Sequence, residues 1–276
     1  MTPALIVADA CAPVLATLKT QLPSATLLHG KRGVGLNTIA SVIAGQSAER
    51  VYPVTKKGDE DAVNGSISIE TIRLLYTSVR TGGKRRVVII DDADRMSRGA
   101  QNAFLKLLEE PPRGIHFLLT SHNPESILKT IRSRVANVHI PLAAKAKTDD
   151  LIASKNALDQ RTEAQVKFLA AGLPAEAQRL LADETYRADS IAVMTDARTC
   201  LTISDTYQRI GIIAKYSGSR ENAIRFVDAS ILVLRHILST EHASSYAAMS
   251  QRLLTTYEQL HKNTNPKLQL LRFVVQ

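Results

Sequence analysis

The sequence has no tryptophan and few aromatic side chains of any kind. Aromatic residues make up 4% of the 276 residues, whereas 45% of the residues are hydrophobic. A surface that stacks nucleic-acid bases needs aromatic side chains interleaved with basic ones, and no such stretch is present. The composition therefore favours cores packed through leucine, isoleucine and alanine, in a chain long enough for two or three small domains.

Cysteine is also scarce, and long apolar runs are missing. Cys11 and Cys200 are the only two cysteines, and they stand far apart in no metal-binding pair. The sequence lacks the basic start, apolar middle and small-residue cleavage site of a signal peptide, and no apolar run is long enough to span a bilayer. We therefore expect a protein of the reducing cytoplasm with no membrane partner.

Positive charge is in excess, with a formal net charge of +9. Such an excess fits a protein that works near nucleic acid. Many ordinary basic proteins share it, so the charge supports a nucleic-acid role without establishing one.

The most informative stretch spans residues 84–112. Four β-branched aliphatic residues at 87–90 stand between a basic and an acidic cluster, which predicts a buried central strand. The strand ends on Asp91 and Asp92, at the edge where open α/β folds place their ligands. In a nucleotide-binding protein the first carboxylate would hold Mg²⁺ through water. The alternative is an acidic helix N-terminus, which capping and the helix dipole favour.

A helix is predicted directly after this edge. Ser97 is suited to its N-cap, apolar residues recur at helical spacing, and Pro111 and Pro112 end it. The run AFLKLLEEPP at residues 103–112 resembles the clamp-loader branch of the AAA+ ATPases. The segment ISIETIR at residues 67–73 is similar to another phrase of that family, I-x-I-[DE]-x-I-R.

A glycine-rich loop follows a short predicted strand at residues 25–29. Strand, glycine loop and helix form the context of a phosphate-binding P-loop, because backbone N–H groups of the loop cradle phosphates. The glycines of that motif are present as Gly30, Gly33 and Gly35. The local pattern thus has the backbone requirements of a nucleotide site.

The side chains that perform P-loop chemistry are absent. Leu36 stands where the motif has the lysine that reaches the β and γ phosphates, and Asn37 stands where it has the hydroxyl that ligates Mg²⁺. Lys31 and Thr38 are present but do not fall on the motif positions of the lysine and the hydroxyl. Supply of the missing positive charge by Lys31 or Arg32 from another direction is less favoured. We therefore predict a structural relic that requires no cofactor, while static binding of ATP or ADP stays open.

The resemblance assigns roles to several further positions. Ser121 matches the sensor 1 position that faces the γ-phosphate, and its alternative role is to cap the next turn. The segment TIRSRV at residues 130–135 is similar to the family phrase T-I-x-S-R-C, which makes Ser133 and Arg134 the pair that presents an arginine finger to a neighbouring subunit. By spacing alone, this arginine would be a solvated charge. The family's sensor 2 arginine corresponds to Ala175.

Residues 51–65 are polar and lack cysteine. Many bacterial members of the resembled family carry a four-cysteine zinc module there, so we predict no zinc and no other metal. His122 is expected to be a solvated loop histidine. Arg95 and Arg98 are candidates to face DNA, and a solvated helix start is an equal alternative.

The resemblance implies an α/β domain with a parallel sheet, followed by helices. The expected domains are an AAA+ domain at 1–143, a helical lid at 144–185 and a helical collar for oligomerisation at 186–276. Residues 143–147 suit a linker, and lid helices are expected up to a last one at 174–182. Long helices are predicted at 191–215, 221–238 and 243–261, with another after Pro266.

As a function, the resemblance implies a non-hydrolysing subunit of the bacterial DNA polymerase III clamp loader. Expected partners are the gamma/tau ATPase subunits and a delta subunit in a hetero-pentamer, with the sliding clamp contacted indirectly and primer–template DNA bound through the assembled complex. Two alternatives remain: an ATP-hydrolysing motor subunit or related AAA+ ATPase, and a general basic DNA-binding protein. The absence of three nucleotide-contacting side chains disfavours the first, and the specific order of motifs disfavours the second.

Overall fold

In the computed structural model the described residues are 5–45, 49–52, 65–79, 86–155, 158–240, 246–262 and 264–275. They form two compact units, Met1–Arg179 and Leu180–Gln276. The division of the first unit into an AAA+ domain and a lid stays a prediction. No helix among the described residues is long and apolar enough to cross a membrane.

The first unit alternates strands and helices. Its strands are β1 (Ala25–Gly30), β2 (Glu49–Val51), β3 (Arg86–Ile90), β4 (Ile115–Ser121) and β5 (Ala136–Ile140). Its helices are α1 (Ala12–Thr20), α2 (Leu36–Ala44), α3 (Ile69–Val79), α4 (Arg98–Glu109), α5 (Lys129–Arg132), α6 (Lys145–Ala153), α7 (Gln160–Leu169) and the start of α8 (Pro174–Ala182). The predicted central strand, the strand before the glycine loop and the three helices after β5 are confirmed.

The described strands form one parallel sheet in the order β2-β3-β4-β1-β5. From β1 the chain passes first to the β2 edge and later returns beyond β1 to add β5 on the opposite side. The order therefore switches beside β1, and open α/β sheets bind ligands at the carboxyl ends of strands at such a point. The glycine loop and both aspartates follow strands that end there.

Helices cover both faces of the sheet, which explains the unbroken apolar sequence of β3. Successive side chains of a strand point to opposite faces. Val88 and Ile90 pack with α3 and α4 on one face, whereas Val87 and Ile89 pack with α1 and α2 on the other. Parallel strands buried on both faces have such continuous hydrophobic runs.

Helix α4 begins and ends near the residues that the sequence indicated. The Ser97 hydroxyl accepts a hydrogen bond from the backbone N–H of Ala100 at 3.1 Å, which satisfies one free donor of the first turn. On the buried face, Phe104 meets Phe117 of β4 edge to face, with ring centroids 5.2 Å apart. This packing fixes the helix that follows the acidic edge against the centre of the sheet.

The predicted linker at residues 143–147 is too long. Helix α6 already begins at Lys145, because alanine and lysine are good helix formers and do not by themselves indicate a loop. The Thr148 hydroxyl also donates to the carbonyl of Lys145 and accepts from the N–H of Gly172. These bonds tie the first turn of α6 to the turn before α8.

Helices are the only regular secondary structure in the described residues of the second unit. Its helices after α8 are α9 (Glu184–Thr202), α10 (Thr206–Ala214), α11 (Arg220–Thr240), α12 (Ala247–His261) and α13 (Pro266–Val275). The prediction of one helix over residues 191–215 is wrong, because the chain breaks after α9. The Asp205 carboxylate accepts from the N–H of Tyr207 and so caps a new helix, α10.

The core of this unit is built mainly on α11. Phe226 stacks on Tyr216 with ring centroids 4.8 Å apart, and the Tyr216 hydroxyl donates to the Asp196 carboxylate at 2.8 Å. Burial, followed by the Asp196 carboxylate, raises the pKa of Tyr216. The predicted α/β region followed by an all-helical region is therefore confirmed.

Candidate functional site

The glycine loop between β1 and α2 needs its glycines for backbone reasons. Gly33 and Gly35 have φ of 92° and 91°, in the left-handed region that side chains with a Cβ rarely adopt. A Cβ on Gly30 would lie 2.5 Å from the carbonyl oxygen of Ile140 in β5. All three predicted loop glycines are thus required by the fold of the loop itself, whatever the loop binds.

Leu36 opens α2 and points into the core. It is only 2% exposed and packs in the apolar cluster between α1, α2 and the sheet. Its side chain carries no charge that would meet a phosphate. Lys31 and Arg32, the basic residues of the loop, are exposed.

The first turn of α8 lies directly against the loop. The N–H groups of Ala175 and Glu176 approach the carbonyl oxygen of Gly33 at 2.9 and 3.3 Å. A Cβ on Gly33 would come within 3.0 Å of the Glu176 Cβ. Ala175, to which the resemblance assigns the position of the sensor 2 arginine, therefore places a methyl group beside the loop and brings no charge to it.

A small cavity remains beside this contact. Its volume is about 20 Å³, and its walls include Ile6, Gly35, Thr38 and Ala175. That is room for roughly one water molecule. The described residues thus leave little space between the glycine loop and α8.

Asp91 is held on both of its carboxylate oxygens. One oxygen accepts from the Asn37 amide nitrogen at 2.5 Å, and the other accepts from the Thr120 hydroxyl at 2.6 Å. The Thr120 hydroxyl in turn accepts from the N–H of Asp92 at 3.0 Å. The structure therefore brings together the predicted residues Asn37 and Asp91, and it adds Thr120.

Asp92 occupies an unusual backbone position at the same edge. Its φ is 46°, the one positive value at a non-glycine residue in the described part of the chain. Its carboxylate lies 3.5 Å from the Nε of Arg95 and 3.8 Å from the Nε2 of His122. Arg95 is thus paired with the acidic edge, whereas Arg98 is exposed.

The expectation of a solvated loop histidine at position 122 is wrong. The Nδ1 of His122 lies 3.0 Å from the carbonyl oxygen of Gly30, at the start of the glycine loop. A carbonyl oxygen only accepts, so the proton of a neutral ring resides on Nδ1. His122 is therefore hydrogen-bonded to the start of the glycine loop, while its Nε2 lies 3.8 Å from the Asp92 carboxylate, a placement for which the sequence contains no signal.

Ser121 is buried at the end of β4, and its hydroxyl accepts from the N–H of Asn123 at 3.1 Å. This contact is the capping role that was its alternative. The hydroxyl that contacts Asp91 belongs to the preceding residue, Thr120. A sensor 1 role for Ser121 stays a prediction.

Ser133 and Arg134 follow the short helix α5 at the surface. Arg134 donates through Nη1 to the carbonyl oxygen of Thr130 at 3.1 Å and through Nη2 to Glu109 at 3.2 Å. The Ser133 hydroxyl donates to the same Thr130 carbonyl at 3.1 Å. The Arg134 side chain remains 42% exposed. Its hydrogen bonds thus go to the ends of α4 and α5 and not to the glycine loop.

The predicted absence of zinc and of any other metal stays a prediction. In the described ranges no group of three histidine, cysteine, aspartate or glutamate residues is arranged to hold a metal ion. The predicted absence of zinc concerns mainly residues 53–64, which lie outside the described residues. Cys11 and Cys200 are both buried free thiols.

Arg50 is a site residue that the sequence did not indicate. It lies in the three-residue strand β2 and donates to the Asn37 amide oxygen at 3.2 Å and to the Ser41 hydroxyl at 2.8 Å. A single arginine in a polar segment carries no sequence signal. Only the pairing of β2 with β3 brings it beside the acidic edge.

Comparison with known proteins agrees with the resemblance. Residues 46–143 match the family described as DNA polymerase III, delta subunit. A DNA polymerase III subunit delta′ of Pseudomonas aeruginosa is 40% identical over 187 residues, which cover 59% of this chain and 57% of the relative. The corresponding protein of Yersinia pestis is 31% identical over 159 residues, 56% of this chain and 46% of the relative. The chain thus spans about half the length of these curated relatives.

Among solved structures, a gamma subunit-related protein of Thermotoga maritima covers 96% of this chain, with 97% of its own length matched. The TM-score is 0.54 and the sequence identity 17%, so this likeness concerns the fold alone. It confirms the fold class inferred from the clamp-loader motifs. Residues 46–143 thus match the family model of the DNA polymerase III delta subunit, in agreement with the resemblance of this chain to the clamp-loader branch of the AAA+ proteins.

Proposed function

We propose that this chain is a delta-prime-like subunit of a bacterial DNA polymerase III clamp loader. In this role it hydrolyses no ATP itself and acts as a stator that presents Arg134 to the ATP of a neighbouring ATPase subunit. Its partners would be gamma/tau and delta subunits in a hetero-pentamer of the cytoplasm. It would reach the sliding clamp indirectly and primer–template DNA only through the assembled complex.

The burial of Leu36 is the observation that carries the non-hydrolysing part. Phosphoryl transfer depends on cations that neutralise charge developing on the phosphates, and the P-loop lysine is one of them. At 2% exposure, the residue in that position packs inside the core and supplies no cation. Ala175 likewise brings no cation from α8. Both features support a chain that does not turn over ATP.

The position of Arg134 supports its proposed action on ATP that a neighbouring subunit binds. A planar, permanently charged guanidinium suits a phosphate that another subunit holds. Arg134 is partly exposed, and an exposed ion pair with Glu109 is readily exchanged for a more highly charged partner. The hydrogen bond from Arg134 to the Thr130 carbonyl of α5 restricts the conformations of the arginine side chain.

The test is DNA-stimulated ATP hydrolysis by the chain alone and after mixing with the other clamp-loader subunits of its source. We expect no turnover alone and turnover in the mixture that depends on this chain. An arginine supplied in trans contributes on the order of 10³–10⁵ in kcat at a phosphoryl-transfer site. Arg134→Ala should therefore remove nearly all of the share of turnover that arises at the neighbouring site.

Two variants sharpen this test. Arg134→Lys keeps the charge but loses the planar fork, so we expect it to rescue only a minor part of the lost turnover. Lys129→Ala removes one positive charge from an exposed position of α5, the helix that precedes Arg134, and should leave turnover unchanged. Full activity of the Arg134→Ala complex would exclude the arginine finger, and ATP hydrolysis by the isolated chain would favour a motor subunit.

A further inference from the structure

Asn37 presents its amide to Asp91 in one defined orientation. Its nitrogen donates to Asp91 at 2.5 Å, while its oxygen accepts from Nη1 of Arg50 at 3.2 Å. The reversed amide would set its NH₂ group against the guanidinium and its oxygen against the carboxylate. Both contacts would then be repulsive, so the neighbours determine the orientation. The only acceptor atom of this side chain therefore faces a cation of the chain itself.

Arg50 binds two successive turns of α2. Besides the Asn37 oxygen, its guanidinium donates through Nη2 to the Ser41 hydroxyl at 2.8 Å. The Ser41 hydroxyl donates in turn to the carbonyl oxygen of Asn37 at 2.6 Å. A planar fork with several fixed donors is suited to such a double contact, and a lysine is not. Arg50 thereby joins strand β2 to helix α2.

The register of the sheet completes the arrangement. Asp91 follows β3 and Thr120 lies near the end of β4, and pairing of Ile90 with Leu119 sets these two polar residues side by side. The Thr120 hydroxyl donates to the Asp91 oxygen that Asn37 leaves free. Residues Arg50, Asn37, Ser41, Asp91 and Thr120 therefore form one continuous set of hydrogen bonds, called here the Arg50 network.

These residues do not fit a magnesium–nucleotide. Mg²⁺ takes oxygen ligands at about 2.0–2.1 Å in near-octahedral geometry. At the position where a P-loop has a hydroxyl oxygen for the metal, this chain directs an NH₂ group at Asp91. The neighbouring Leu36 offers no cation for the phosphates.

We propose that the Arg50 network replaces the magnesium–nucleotide as the group that holds this site together. Arg50 supplies the positive charge beside the acidic edge, and the neutral Asn37 amide bridges the two groups by accepting from Arg50 and donating to Asp91. The strands β2, β3 and β4 and helix α2 are thereby fixed without any ligand. This inference rests on the proposed stator function, and it goes further because it excludes static binding of magnesium–nucleotide as well as hydrolysis.

The first measurement is thermal unfolding of the full chain with ATP or ADP, each in excess Mg²⁺ and in EDTA. For the wild-type chain we expect the same melting temperature under all these conditions. A melting temperature that rises with Mg²⁺–ATP but not with ATP in EDTA, and that no longer rises in Asp91→Asn, would overturn the proposal. In that case Asp91 would be a metal ligand.

The second measurement concerns the network itself. Arg50→Met and Asn37→Ala should each lower the melting temperature by about 3–10 °C, because each breaks hydrogen bonds to a charged group. The double variant should lose clearly less than the sum, because both changes remove the same contact. Arg161→Met, an exposed arginine on α7, serves as the control and should melt as the wild type does.

Two outcomes separate the alternatives further. If Arg50→Met does not fold, Arg50→Lys takes its place, because it keeps the charge without the planar fork. Its melting temperature should lie between that of the wild type and that expected for Arg50→Met. Fully additive effects of Arg50→Met and Asn37→Ala would refute the network. A failure of either melting experiment would leave the stator proposal intact, because that proposal depends on Arg134 in the assembled complex. Likewise, if Arg134→Ala did not change ATP turnover by the complex, the expected results of these melting experiments would stay the same.

Discussion

Replacing Leu36 by lysine restores the P-loop lysine to the sequence, and we predict that it destabilises the chain without restoring ATP hydrolysis. Leu36 is 2% exposed and packs among apolar residues of α1, α2 and the sheet. An ammonium group does not remain charged in such surroundings, so the lysine side chain must leave the core. Neighbouring side chains would then fill only part of the volume that the leucine side chain occupied.

The magnitude follows from the apolar contacts that are lost. Burying a leucine contributes about 1.5–3 kcal/mol, and an incompletely filled cavity adds to the loss. We therefore expect Leu36→Lys to lower the free energy of unfolding by about 2–4 kcal/mol. For a unit of this size, that corresponds to a fall in melting temperature of about 4–16 °C.

The assay is denaturant and thermal unfolding followed by circular dichroism, together with ATP hydrolysis by the isolated variant. Leu36→Met, which conserves volume and apolarity, is the matched control and should cost less than about 1.5 kcal/mol. A Leu36→Lys chain that melts within about 1 °C of the wild type would refute the packing argument. ATP turnover by that variant would refute the view that Asn37 and the Arg50 network close the site.

Three further predictions concern the same unit. Glu109→Gln should change the unfolding free energy by less than about 1 kcal/mol, because its ion pair with Arg134 is exposed at 54% and 42%, and denaturant unfolding measures this. Burial, and then the neighbouring His139, lower the pKa of His29, so its folded form binds a proton less readily than the unfolded chain does. Stability should accordingly fall as the pH drops below about 6.5, and His29→Gln should reduce this slope in urea titrations. Ser97→Ala should cost about 1 kcal/mol in the same assay, whereas Ser97→Asp keeps a capping oxygen and should cost clearly less.

Much of the first unit could be predicted because local signals and long-range packing agree there. The β-branched run before Asp91 is buried on both faces, and the serine, apolar spacing and prolines around α4 mark its ends correctly. The helix predicted over residues 191–215 failed for the opposite reason. Its apolar spacing continues through residues 203–205, where α9 has ended and Asp205 caps the next helix.

The candidate site was predictable in its position but not in its internal contacts. The glycines and Asp91 mark the carboxyl edge of the sheet by pattern alone. The contact between Thr120 and Asp91 was not predicted; alternate residues of a strand face opposite sides, so Thr120 shares the side of α2 that Asp91 also faces. The role of Arg50 could not be predicted from the sequence, since it depends on a three-residue strand that pairs with β3 far along the chain.

The two halves of the proposed mechanism place opposite demands on their side chains, and the structure meets each demand separately. Leu36 and Asn37 direct their side chains inward, to the core and to Asp91, where an incoming ligand would have to break well-packed contacts. Arg134 instead lies at the surface in an ion pair worth at most about 1 kcal/mol. A triphosphate carries several negative charges and competes effectively with one carboxylate for that guanidinium. Such a chain is poorly suited to act on a nucleotide of its own and well suited to act on one held by a neighbour.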